Sequence, residues 1–194
     1  MMSEETTMVV LNERSWSDAI DMYEPRATIA KVTSREHENW VLDVSTLMRG
    51  DTRDARGWRT VDFWEGELER LDEPSYPFVL TPETAAAADA CKSYLYEIPR
   101  SQAMRFLVAL STPWIDVTKE PDFEERKDAL EARSRVILSR FPEGSHFYAN
   151  TGRGSDTRDY YQRVSEWYPF SVRTFDFGLV LVSETEVGMV WSFR

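Results

Sequence analysis

Cysteine and histidine are nearly absent from this chain of 194 residues: Cys91 stands alone, and His37 and His146 are the only imidazoles. One cysteine excludes an intramolecular disulfide, and two distant histidines with one thiol make no zinc-type ligand set. No apolar run approaches the ~20 residues that a membrane span needs. The opening MMSEETTMVV is acidic where a secretory signal is basic, so a cytoplasmic setting and no membrane partner are expected. Basic residues are short as well, 23 against 34 acidic ones, for a formal net charge of −11. Such a field repels nucleic-acid phosphates and disfavours generic DNA or RNA binding.

What is present is core-forming material. Hydrophobic residues make up 42% of the chain, with seven Trp, eight Tyr and ten Phe spread along it, which argues against intrinsic disorder. A chain of this length buries roughly 70% of its unfolded surface and needs neither disulfide nor metal to fold. One domain over 1–194 is expected, with the proline-bearing DEPSYP (72–77) as the candidate minor boundary. The acidity is uneven: residues 1–100 hold 20 acids against 11 bases, and 101–194 hold 14 against 12.

Periodicity sketches the elements. TMVVLN (7–12) reads as a strand and SWSDAIDMY (15–23) as a helix capped by Ser15 or Ser17 and closed before Pro25. ATIAKVT (27–33) and NWVLDVS (39–45) read as a hairpin, MRGDTRDARG (48–57) as an exposed loop, and GWRTVDFW (57–64) as a strand before the short acidic helix EGELERL. A helix is predicted over 81–99 with Thr81 as cap and Pro82 at its first position, and others over 101–113 and 122–142. SHFYA (145–149) reads as a strand, 156–168 as a helix and 172–193 as a β-hairpin. In the hairpin, Leu179–Val182 lack alternation, as in a strand buried on both faces. The expected fold is α+β: a mixed or antiparallel sheet ending in a C-terminal hairpin and packed by three or four helices.

One stretch, HFYANTGRGSDTRDYY (146–161), concentrates anion-binding groups. A strand, a glycine turn and a helix start would converge backbone N–H groups on one point, with Gly152 and Gly154 letting a ligand approach. Arg153 and Arg158 are suited to clamp an anion, His146 to move a proton, and Asn150, Thr151 and Ser155 to add hydrogen bonds. The match to known loops is incomplete: TGRGSD fits neither the Walker pattern nor G-x-G-x-x-G, since Thr157 occupies the last glycine position. Ser155 or Asp156 also serves as an ordinary helix cap, and the glycines suit any tight turn.

Other constellations are sparser. Glu124/Glu125, Glu67/Glu69 and Asp51/Asp54 sit in charged segments that read as solvated faces. No G-x-S-x-G elbow is present, and Cys91, among small residues on a helical pattern, reads as a buried inert thiol. The H-x-K-x4-D pattern of phospholipase-D-like domains is not met, because Tyr148 and Arg153 stand where its lysine and aspartate would follow His146. Most tryptophans are expected in the core, with at least one exposed as a partner anchor. The composition therefore points to a non-catalytic, acidic protein that engages a basic protein surface and uses no cofactor. The alternatives are an enzyme or sensor holding a phosphate-bearing small molecule at 146–158, and a nucleic-acid mimic.

Overall fold

The structure, a computed structural model, describes residues 9–62, 67–152 and 159–194. Its helices are α1 (Glu13–Ile20), α2 (Val41–Arg49), α3 (Glu67–Asp72), α4 (Ala85–Lys92), α5 (Arg100–Leu110) and α6 (Phe123–Ser139). Its strands are β1 (Thr28–Ser34), β2 (Tyr96–Ile98), β3 (His146–Ala149), β4 (Asp176–Val182) and β5 (Glu186–Phe193). They form one antiparallel sheet in the order β1-β5-β4-β3-β2, so the C-terminal hairpin occupies its interior. The fold is α+β, and every residue of β4 and β5 is buried. No described helix is long and apolar enough to cross a membrane.

The two-residue period of the strands sorts side chains into two cores. Val32, Phe147, Leu179, Leu181 and Val190 meet α1, α5 and α6 on one face. Ile29, Val180, Val187, Met189 and Trp191 meet α2 and α4 on the other. Each fully buried side chain of this size contributes about 1.5–3 kcal/mol. Helical layers on both faces explain why the hairpin lost the alternation of a half-exposed sheet.

Five expectations are corrected. Of residues 39–45, expected as a strand, 41–45 belong to α2, since Val41, Val44, Leu47 and Met48 bury one helical stripe and Gly50 ends it at φ 72°. The helix expected over 81–99 is shorter: Thr84, not Thr81, caps it by accepting from the Ala87 N–H, and it stops at Lys92 because Tyr96–Ile98 pair with β3. α1 is capped by Asn12 in a reciprocal box with Ser15, and residues 9–11 form no strand. Within 57–62 only Val61 pairs, bridging Ala30. The stretch 72–77 contains a cis Tyr76–Pro77 bond, and the residues after it run antiparallel to 170–172.

Candidate functional site

The residues singled out around 146–158 do not share one environment. His146 begins β3 at the sheet margin, where its Nδ1 lies 2.6 Å from Glu97 Oε1 and both side chains are more than half exposed. Strand rise sets its Cα on the order of 20 Å from that of Gly152. Asn150 is fully buried; its amide N–H groups donate to the Tyr168 and Asp176 carbonyls at 2.9 and 3.0 Å, and its Oδ1 accepts from the Gly178 N–H at 3.0 Å. That amide is consumed in holding the chain together. Arg153, Ser155 and Arg158 lie outside the described residues, as does Gly154.

The helix expected over 156–168 is absent from its described part. Residues 160–162 turn, 163–166 adopt no regular structure, and Trp167 bridges Thr151. The physical reason is tertiary: Tyr160 stacks on Phe106 at 4.4 Å in the core, and Asp159 turns back to accept from the Tyr161 N–H and from Arg105. No helix dipole is therefore available from 159–168 to hold an anion.

Asn150 leads to Asp176, a fully buried carboxylate that accepts from the Phe170 and Ser171 N–H groups, the Ser171 hydroxyl at 2.7 Å and the Trp191 indole at 3.2 Å. Burial pushes its pKa up, and these donors oppose the shift without cancelling it. The knot fixes residues 166–171 against β4.

Beyond it opens a cleft of about 350 Å³ lined by Tyr94, Tyr96, Asn150, Thr151, Gly152, Glu166, Trp167 and Tyr168. Tyr94 and Tyr168 stack in parallel, 3.6 Å between centroids and 9° apart. The Tyr168 phenol is raised, chiefly by its hydrogen bond with Tyr94. Thr151 Oγ1 donates to the Glu166 carbonyl at 2.5 Å, which ties the two rims together. The aromatics in SEWYP are legible in the sequence, but their meeting with SYLYE is not: Tyr94 and Tyr168 lie 74 positions apart and are brought together by the β2–β3 pairing and the Thr151–Trp167 bridge.

Two further charge arrangements were invisible in the sequence. Asp54, expected on a solvated loop, is buried against Arg140, whose own side chain has no solvent exposure. Arg140 donates to both Asp54 oxygens at 2.7 and 3.0 Å and to Glu186 at 2.8 and 3.1 Å. Its guanidinium also lies against the rings of both Trp16 and Trp58, at 4.7 and 5.2 Å. Burial pulls that guanidinium's pKa down, and the hydrogen bonds to Glu186 and Asp54 outweigh it, leaving a net rise. His37 Nδ1 lies 2.7 Å from the buried Asp43 carboxylate, which also accepts from the Glu36 and His37 N–H groups. The neighbouring Ser45 hydroxyl accepts from Arg49 and is buried, so this pair anchors a loop without an adjacent free nucleophile.

Cys91 is buried and unbridged, and burial pushes its thiol up to about 11. The thiolate fraction at pH 8 is then on the order of one in a thousand. The native protein is expected not to react with a chromogenic disulfide reagent at this pH until denaturant is added; rapid labelling of folded protein would contradict the assignment. Among the described residues, no group of three or more His, Cys, Asp or Glu could hold a metal ion. Compared with known proteins, the chain finds no significant match among family models, curated proteins or solved structures.

Proposed function

We propose that this protein works by binding a basic partner protein, as an inhibitor, an immunity-type protein or an accessory factor does, in a cytoplasmic setting and without chemistry of its own. The observation that carries this reading is α3: Leu68 and Leu71 are 78% and 79% exposed, where a helix of a free-standing protein would turn its leucines inward. Exposed Glu69, Asp72 and Glu73 surround them, in the half of the chain that carries the acid excess. Further apolar side chains are exposed elsewhere on the protein. Arg70 donates to the Tyr76 carbonyl, Val79 and Val172 flank the Phe78–Ser171 bridge, and Phe175 packs against Trp167 with the rings tilted by 47°. Val79, Val172 and Phe175 are all exposed. Apolar anchors with a charged rim suit a protein interface, and the sign of the rim selects a basic one.

The phosphate-ligand alternative has less support, since His146 is engaged by Glu97, Asn150 is buried in the knot, and 159–168 supplies no helix end. Affinity capture at low salt is expected to retain a basic protein on the wild type. Leu68→Ser/Leu71→Ser weakens retention at least about tenfold, given what two buried leucines contribute. Its thermal midpoint stays unchanged because both positions are exposed, and raised salt releases the partner from the wild type. A monomer on sizing with nothing retained at low salt, or retention indifferent to the double variant, contradicts the proposal.

A further inference from the structure

We infer that the turn after α5 is a second docking point, with Trp114 as its anchor and Arg26 and Arg194 beside it, for an acidic segment of a partner protein. Of the described tryptophans Trp114 alone is exposed, at 65%, and among the described residues nothing bonds to its indole or stacks on it. Its backbone is left-handed, at φ 59° and ψ 14°. Two overlapping turns hold it there: the Ile115 N–H donates to the Thr112 carbonyl and the Asp116 N–H to the Pro113 carbonyl, each at 3.2 Å. Such a position favours glycine. Ile115, at φ 55°, offsets its own strain by burying its side chain in the core, and Trp114 gains no such burial. Neither backbone geometry nor packing calls for tryptophan here, and strain that packing does not offset marks a binding position.

The surroundings select the occupant. Ser111 and Thr112, which lead into the turn, accept through their carbonyls from Arg26 Nε at 3.0 Å and from Arg194 Nη2 at 3.2 Å. Arg194 is half-buried, and among the described residues no carboxylate side chain lies within ion-pair reach of it. Burial, together with the charge of Arg26, pushes its pKa down to about 10. A guanidinium short of counter-charge receives a carboxylate through paired N–H groups. Lys119 adds an exposed cation, and the nearest acids are engaged: Asp116 accepts from Thr118, and Glu120 pairs with Arg26 at 3.9 Å and Arg126 at 2.5 Å. The acids that open α6 line a different cleft, which Trp114 does not border. A short protein segment meets these cations locally. An anionic bilayer or a nucleic acid faces the whole molecule and its net charge of −11, and one exposed ring gives little insertion into lipid. α3 offers leucines among acids and this turn an indole beside bases, so the two take separate partners.

Fluorescence anisotropy of dye-labelled acetyl-Glu-Glu-Leu-Glu-Glu-amide on the full chain tests this, with the glutamine counterpart of the peptide and vesicles of phosphatidylserine and phosphatidylcholine in equal parts as the other arms. Saturable binding of the acidic peptide is expected, and none of the glutamine peptide or the vesicles. Affinity falls at least about tenfold in Trp114→Gly and in Arg194→Gln. The thermal midpoint of Trp114→Gly is not lowered, because glycine suits this backbone and no packing is lost. No saturable binding of the acidic peptide, equal binding of the glutamine peptide, or undiminished binding by Trp114→Gly overturns the inference. Binding to the vesicles without the peptide assigns the turn to lipid and overturns it too. A lowered midpoint in Trp114→Gly would show that the indole packs into the fold, which removes the reason to see an anchor there.

Discussion

Arg140→Met lowers the stability of the fold by about 3–5 kcal/mol, the usual cost of stranding a buried charge. Methionine fills similar space but leaves Asp54 and Glu186 facing each other across a site where the Arg140 side chain had no solvent exposure. Among the described residues, Glu186 and not Asp54 has a second cationic side-chain partner, Arg56 at 3.3 Å, and that side chain is 39% exposed. Arg140→Lys also destabilises, because an ammonium cannot bond both carboxylates in forks while packing against Trp16 and Trp58. The triple variant Arg140→Met/Asp54→Asn/Glu186→Gln recovers part of the loss, since it removes the uncompensated charges together. Urea unfolding of the three variants checks this, and a loss below about 1 kcal/mol in Arg140→Met would show that water reaches the site.

Gly178→Ala is expected to cost about 3 kcal/mol or more, although it adds one methyl group. A Cβ at this position would lie 1.9 Å from Trp191 Cε3 and 2.0 Å from Cδ2, so the indole must leave its place. Gly178 and Trp191 are direct partners in the β4–β5 register, and the ring folds across the space that the glycine leaves open. The ring is fully buried, packs on Phe78 and Phe170, and donates to Asp176. Displacing it combines overpacking with a lost hydrogen bond to a buried carboxylate. The variant should show a lower thermal midpoint and red-shifted tryptophan emission. Pairing it with Trp191→Leu should recover stability relative to the sum of the two single changes. An unchanged midpoint in Gly178→Ala would contradict the packing described.

The sequence was most legible where one local rule acted alone. In α6 a long apolar stripe, acids in the first turn and no interior proline or glycine all agree, and the helix forms over 123–139. The C-terminal hairpin was equally plain, because its β-rich runs flank one polar turn. Reading failed where two periods fitted the same residues. NWVLDVS alternates well enough for a strand, yet Trp40, Val41, Val44, Leu47 and Met48 also make a helical stripe, and the stripe is what α2 buries. In 81–99 the helix propensity of four alanines was real but ended where β3 offered Tyr96–Ile98 a strand partner. For the candidate site, the residue types around 146–152 were read from the chain. Their division into an exposed His146 and a buried Asn150 was not, since strand orientation and the Asp176 knot decide it.

By itself the sequence determined the class: an α+β chain with an acid excess, an unbridged thiol, and a β-hairpin apolar enough to lie inside a sheet. These follow from composition and from periods of two and 3.6 residues, which act over one element at a time. Tertiary structure alone decided which charges are buried and which apolar groups are not. Arg140 meets Asp54 and Glu186 across 86 and 46 residues of chain. Tyr94 meets Tyr168 through strand pairing, and Leu68 and Leu71 face water although their helix could have turned them inward. The burial of a side chain depends on what the rest of the chain places beside it, and no local pattern carries that information.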